Sequence, residues 1–97
     1  MTRAVVFRPQ AEREALDVRR WYEGRRAGLG EEFGAEVDAL VIRMADNPLL
    51  FPRVRGEIRR AVLSRFPYAL YFRLTDEDAV VLAVHGRQDP VRWHQRG

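Results

Sequence analysis

The fold is decided by residues 9–48, which read PQAEREALDVRRWYEGRRAGLGEEFGAEVDALVIRMADNP. In the first half of this stretch, apolar residues recur three and four positions apart, the spacing of one helix face. They are Ala11, Ala15, Val18 and Tyr22. A first helix is therefore predicted from Pro9, which suits the first turn of a helix, to about Arg25.

A second helix is predicted after Gly28-Leu29-Gly30 interrupts this pattern. It begins near Glu31 and Glu32 and ends at Asn47-Pro48, because the residue before a proline disfavours the α conformation. Its apolar face comprises Phe33, Val37, Leu40, Val41 and Met44. Two helices joined by a short glycine turn form an antiparallel hairpin.

Strand-like segments flank the hairpin on both sides. One short segment rich in β-branched residues precedes it, and three follow a loop at Leu49 to Gly56. The four predicted strands are Ala4 to Phe7, Glu57 to Leu63, Tyr68 to Leu74, and Ala79 to His85. The connections between the last three are short, so these strands are predicted to be antiparallel neighbours.

The predicted architecture is α+β with the order β-α-α-β-β-β. The helix hairpin is expected to bury its apolar face against one face of a small, mostly antiparallel four-stranded sheet. Residues 1–97 are predicted to form a single domain, with a polar, arginine-rich tail at about 88–97. The other face of the sheet is expected to be less covered, so functional residues are sought there.

The composition restricts the possible functions. The chain has 17 basic residues, all arginine, and a net charge of +3, which favours an anionic partner such as nucleic acid or an acidic polypeptide. Cysteine is absent, which excludes disulfides, thiolate metal ligands and a cysteine nucleophile. We predict no metal or cofactor. No membrane-spanning or signal-peptide pattern is found, so a cytoplasmic location is expected.

An ordered set of short motifs runs through nearly the whole chain. It comprises Val5-Val6-Phe7-Arg8-Pro9-Gln10-Ala11, Trp21-Tyr22-Glu23, Gly28-Leu29-Gly30 with Phe33, Asn47-Pro48, Phe51-Pro52, Arg59-Arg60, Arg65-Phe66-Pro67-Tyr68 with Tyr71, Ala83-Val84-His85-Gly86-Arg87, Asp89-Pro90 and Trp93. The set and the element order resemble the RelE/ParE toxin superfamily, and the residues of the motifs are closer to those of its ParE-like members.

This resemblance implies a toxin of a bacterial type II toxin–antitoxin system. ParE-like toxins inhibit DNA gyrase, whereas RelE-like toxins cut messenger RNA in the ribosome, and a degenerate member would keep only antitoxin binding. The implied partner is a cognate antitoxin, of the ribbon-helix-helix, ParD-like type with an acidic C-terminal segment. Trp21, Tyr22 and Arg60 are the predicted antitoxin contacts.

An endoribonuclease would need a group that transfers protons and cations that stabilise the phosphorane. The candidates for these roles are His85, Arg87, Arg73, Arg59 and Tyr71. His85 is the natural base or acid because its ordinary pKa lies near neutrality. The structural alternatives are a strand-end histidine bonded to its surroundings and a tyrosine whose hydroxyl lies at the surface.

A gyrase inhibitor would need only a rigid, cationic surface with an aromatic anchor. The densest basic and aromatic stretch is the C-terminal tail, where Arg87, Arg92, Trp93 and Arg96 are the candidate target contacts. The structural alternative is a solvated tail with Trp93 folded back on the core.

Overall fold

The predicted helix hairpin and all four predicted strands form in the computed structural model, which describes residues 3–86. The elements in chain order are β1 (Ala4–Phe7), α1 (Pro9–Arg25), α2 (Leu29–Asp46), a 3-10 turn (Pro48–Leu50), β2 (Arg53–Arg55), β3 (Ile58–Val62), β4 (Tyr68–Leu74) and β5 (Asp78–Gly86). Neither helix in this part of the chain has the length and apolar character that crossing a bilayer requires.

The strands form one sheet in the order β1-β5-β4-β3-β2. β1 pairs in parallel with β5, and the other pairs are antiparallel. The sheet thus has five strands where four were predicted, because part of the expected loop at Leu49 to Gly56 forms β2. This strand has only three residues and an irregular register, so it is too short to show an alternating pattern in the sequence.

The main core lies between the two helices and one face of the sheet. Phe33, Leu40 and Met44 of α2 are buried against Leu70 and Phe72 of β4, as the helix pattern predicted. Burial of this apolar surface supplies most of the driving force for folding. The predicted packing of the hairpin on one sheet face is therefore confirmed.

The turn between the helices depends on two glycines and one carboxylate. Gly28 has a φ of +89°, a left-handed conformation that favours glycine. Glu23 at the end of α1 accepts hydrogen bonds from the amides of Gly28 (2.9 Å) and Gly30 (3.0 Å), which lower the pKa of this carboxyl. It thereby caps the first turn of α2, which has no side-chain cap at Gly28.

A second carboxylate ties α2 to the β3–β4 turn. Glu36 accepts hydrogen bonds from the hydroxyl of Ser64 (2.6 Å) and from the amides of Ser64 and Arg65. Burial alone would raise the pKa of Glu36, but these hydrogen bonds lower it and prevail. The helix is therefore fixed to the sheet by polar contacts as well as by the core.

The outer face of the sheet, which points away from α1 and α2, is also buried at its centre. Ile58, Ala69, Tyr71, Leu82 and Ala83 form a second apolar cluster there, each less than 9% exposed. The expectation of a less covered outer face is therefore wrong for these residues. A bulge contributes to the cluster, because β5 pairs Val81 with Phe72 and Ala83 with Tyr71, which leaves Leu82 as an extra residue.

Candidate functional site

The candidate proton-transfer residue, His85, lies near the end of β5, opposite Ala69 of β4. Its side chain is only 7% exposed, and its Nε2 lies 3.4 Å from Oε2 of Glu14 on α1. This is the strand-end environment of the structural alternative rather than that of an open catalytic group. The carboxylate holds the imidazole against the first helix.

Glu14 can reach the edge of β5 because β1 is shorter than β5 and leaves the end of this edge uncovered. The parallel pairing ends with Phe7 opposite Val81, and the amide of Arg8 donates to the carbonyl of Val81 at 3.0 Å. Beyond that point the edge of β5 has no strand beside it in the described chain. Glu14 Oε1 accepts a hydrogen bond from the amide of Val84 at 2.9 Å, so one carboxylate serves both the strand edge and His85.

A cleft of about 370 Å³ opens beside this pair. Its lining residues are Glu14, Asp17, Val18, Tyr68, Val84, His85 and Gly86. The carboxylates of Glu14 and Asp17 line the space through which an RNA phosphate would have to approach His85. Among residues 3–86, no arginine lines this cleft. The negative charges of these carboxylates would repel a phosphate group in the cleft, so the cleft is poorly suited to a phosphodiester.

Tyr71 and Arg73 lie two positions apart on β4 and both belong to the outer face of the sheet. Tyr71 pairs with Arg60 of β3 on one side and with Ala83 of β5 on the other. It is 1% exposed, so its hydroxyl is not at the surface. By its pairing with Ala69, His85 belongs to the same face one row further along, but its Nε2 lies at the β5 edge, 3.4 Å from Glu14 of α1. The sheet thus brings Tyr71 and His85 to one face but buries both.

Arg59, another of the endoribonuclease candidates, does not lie on this face. Arg59 pairs with Phe72, a residue of the main core, so its side chain leaves the sheet on the helix side. There its Nη1 donates to the carbonyl of Phe51 at 2.7 Å. The neighbouring Arg60 occupies the outer face instead, since successive strand residues point to opposite faces. Arg87 lies outside the described residues.

Comparison with known proteins identifies the family. The model of the family described as the ParE toxin of type II toxin–antitoxin systems, parDE, matches residues 5–90. The chain belongs to this ParE toxin family. It is accordingly a ParE/RelE-type toxin of a toxin–antitoxin system. A search of curated protein sequences found no match.

Two solved structures share the fold of this toxin. The chromosomal ParDE toxin–antitoxin system from P. aeruginosa has a TM-score of 0.71 at 14% identity, over 88% of this chain and 96% of the other. The RelBE2 toxin–antitoxin complex from Mycobacterium tuberculosis has a TM-score of 0.65 at 20% identity, over 90% of this chain and all of the other. At these identities the likeness extends to the fold alone.

The predicted antitoxin contacts of the toxin occupy three different environments. Trp21 is 55% exposed on α1, with the guanidinium of Arg25 4.9 Å from the centre of its ring. Tyr22 packs among the aromatic rings of Phe33, Phe66 and Tyr68, and burial, followed by the effect of Tyr68, raises its pKa. Arg60 lies on the outer face of the sheet.

The predicted target contacts Arg87, Arg92, Trp93 and Arg96 lie outside the described residues. Glu14, by contrast, is a residue of the site that the sequence did not single out. It is one of several acids on the polar side of α1, and its spacing from neighbouring arginines is typical of a solvated helix face. The one sequence signal is the end of β1 at Phe7, which leaves the edge of β5 open to an acid in the second turn of α1.

Proposed function

We propose that this toxin inhibits DNA gyrase by binding and that it cuts no RNA. The observation that carries the proposal is the environment of His85, which is buried, held by Glu14 and reached through a cleft lined by carboxylates. A general base must come within hydrogen-bond distance of the proton that it removes. This enclosure favours a structural role for His85.

Two of the other endoribonuclease candidates support the same conclusion. Tyr71 is 1% exposed, and Arg59 lies on the opposite side of the sheet from it. An endoribonuclease would need these groups around one phosphate, because transition-state stabilisation depends on donors placed at the reacting atoms. Binding to a protein target requires no such convergence.

The target contacts of the proposed inhibitor are Arg87, Arg92, Trp93 and Arg96. Arginine and tryptophan are enriched among the residues that carry most of the energy of protein interfaces. The double variant Arg92→Gln/Arg96→Gln is expected to weaken gyrase inhibition at least tenfold without changing the thermal stability of the toxin. The same substitutions at Arg13 and Arg20 of α1, which leave the same net charge, serve as the control.

A cognate antitoxin neutralises the toxin in this proposal. Trp21 is the best candidate contact, because a large exposed aromatic ring offers apolar area that a partner can bury. Trp21→Ala is expected to weaken antitoxin binding by about 1–3 kcal/mol, the range typical of an interface anchor. An antitoxin of the ParD-like type with an acidic C-terminal segment would also be attracted by the basic toxin.

Induced expression in cells with two reporters tests the function. Gyrase inhibition should switch on DNA-damage signalling while protein synthesis initially continues, and His85→Gln should behave like the wild type. A messenger-RNA nuclease would stop protein synthesis first, without damage signalling, and would lose this effect in His85→Gln. A degenerate toxin would leave growth normal. Either of these last two results would refute gyrase inhibition.

A further inference from the structure

The positive charge of the described chain is concentrated in one segment. Residues 43–60 contain five arginines and two acidic residues, whereas the rest of residues 3–86 contains nine arginines and eleven acidic residues. The segment covers the end of α2, the 3-10 turn and the β2–β3 hairpin. A local excess of this kind creates a positive potential on one part of the surface and attracts polyanions to it.

Two of these arginines lie against Phe51, and a third is paired with one of them. The guanidinium carbon of Arg43 lies 5.7 Å from the centre of the Phe51 ring, and Nη1 of Arg59 donates to the Phe51 carbonyl at 2.7 Å. Arg53 is the direct partner of Arg59 across the β2–β3 pair. Arg55 follows in the same edge strand and is exposed. We call Arg43, Arg53, Arg55 and Arg59 the hairpin arginine surface.

The pairing of Arg53 with Arg59 is unfavourable for the isolated hairpin. Like charges directly opposite each other on neighbouring strands destabilise a sheet. The carboxylate beside Arg53 is that of Glu57, at 3.4 Å, and its side chain is 81% exposed. Exposed pairs of this kind contribute little. An anion bound between the two guanidinium groups would relieve the repulsion.

We propose that the hairpin arginine surface binds the phosphate backbone of duplex DNA, independently of sequence. This goes beyond the proposed inhibition of gyrase. Guanidinium groups pair with phosphate oxygens through parallel hydrogen bonds. Within residues 3–86, Arg59 donates one of its five N–H groups, to the carbonyl of Phe51.

The shape of the region favours nucleic acid over an acidic peptide. The surface lies at the β2 edge of the sheet, with Arg53 and Arg55 on β2, Arg59 on β3 and Arg43 near the end of α2. Arg43 lines a small cavity of about 140 Å³ between α2 and the β3–β4 turn, whereas the cleft beside His85 and the groove between the helices involve none of the four arginines. Peptides that bind to grooves or sheet edges draw their specificity from pockets for their side chains, whereas phosphate contacts need only exposed donors.

Fluorescence anisotropy of a labelled 20-base-pair DNA duplex of arbitrary sequence, titrated with the purified toxin, tests the proposal. We expect a Kd on the order of 10⁻⁴ to 10⁻⁶ M, which weakens with salt because bound counterions are released. Arg53→Gln/Arg55→Gln should reduce the log–log salt slope by about two, one for each lost phosphate contact. Arg13→Gln/Arg20→Gln removes the same charge from α1 and should leave the slope unchanged.

Each remaining outcome contradicts the proposal. Equal weakening by both double variants would show that only the overall charge of the protein matters. Binding of a labelled polyglutamate that depends on Arg53 and Arg55, without any binding of DNA, would assign the surface to an acidic protein partner. Thermal denaturation of both variants controls for folding, and Arg43→Gln offers a third variant outside the hairpin that should reduce the slope by about one.

Discussion

Glu14 and His85 meet across the end of the sheet, with the carboxylate Oε2 of Glu14 3.4 Å from the imidazole Nε2 of His85. The other oxygen of the same carboxylate accepts the amide hydrogen of Val84. One side chain of the first helix thus completes the edge of β5 where β1 has ended. This relationship supports the proposed structural role of His85.

Removal of the Glu14 carboxylate should destabilise the fold. Glu14→Ala leaves a buried strand amide and the His85 ring without this partner, and an unsatisfied buried group costs about 1–3 kcal/mol. Urea denaturation should show a free energy of unfolding that is lower by this amount, with a correspondingly lower midpoint. Glu12→Ala, an exposed acid two positions earlier, should change stability by less than about 0.5 kcal/mol. Equal effects of the two variants would contradict the account of Glu14.

Two glycines in the helix hairpin should respond to alanine in opposite ways. A Cβ added at Gly30 would lie 2.6 Å from the backbone carbonyl of Arg19, so the helices would have to separate. Gly30→Ala should therefore cost about 1–3 kcal/mol, as overpacking does. Gly24 in α1 has open space around it, so Gly24→Ala should stabilise by about 0.5–1 kcal/mol through helix propensity.

Thermal denaturation of both glycine variants checks this prediction. A loss of stability in Gly24→Ala would show that the end of α1 is packed more tightly than the structure indicates. Unchanged stability in Gly30→Ala would show that the two helices do not approach each other at this point.

The contribution of Glu36 should depend on pH in a defined direction. Its pKa in the folded toxin is below its ordinary value of 4.5, so its stabilisation is fully present above the unfolded-state pKa. The stabilisation is lost as the pH falls through the lower folded-state pKa. At pH 7, Glu36→Gln should cost about 1 kcal/mol, since a charged acceptor is replaced by a neutral one.

Chemical denaturation between pH 7 and pH 3 measures this effect. The difference between the wild type and Glu36→Gln should shrink as the pH is lowered through this range. Glu77→Gln, in the exposed β4–β5 turn, is the matched control and should show little difference at any pH. A difference for Glu36→Gln that grows on acidification would mean that burial dominates its pKa.

Local sequence signals predicted most of the fold. Pro9, the glycines at 28 and 30, and Asn47-Pro48 mark the helix limits to within two residues, because each acts on its own backbone. β2 was missed because three residues at a sheet edge carry no periodic signal. β2 is held by its pairing with β3 and by the turn at Gly56, which has a positive φ.

The site was less predictable than the fold because it depends on register. Whether Arg59 or Arg60 shares a face with Tyr71 is decided by the pairing of β3 with β4, and a shift of one residue exchanges the two. The bulge at Leu82 then changes which residues of β5 face outward. The contact of Glu14 with His85 joins positions 71 residues apart, and no local pattern encodes it.

The central claim is that the toxin acts on gyrase by binding, with His85 in a structural role. The most direct measurement is supercoiling of relaxed plasmid by purified gyrase, with wild-type toxin and a folded His85→Gln variant added in parallel. We expect inhibition by both proteins with inhibitory concentrations within about threefold of each other, a difference below 1 kcal/mol. Full supercoiling in the presence of the wild type, together with ribosomal messenger-RNA cleavage that His85→Gln abolishes, would contradict it.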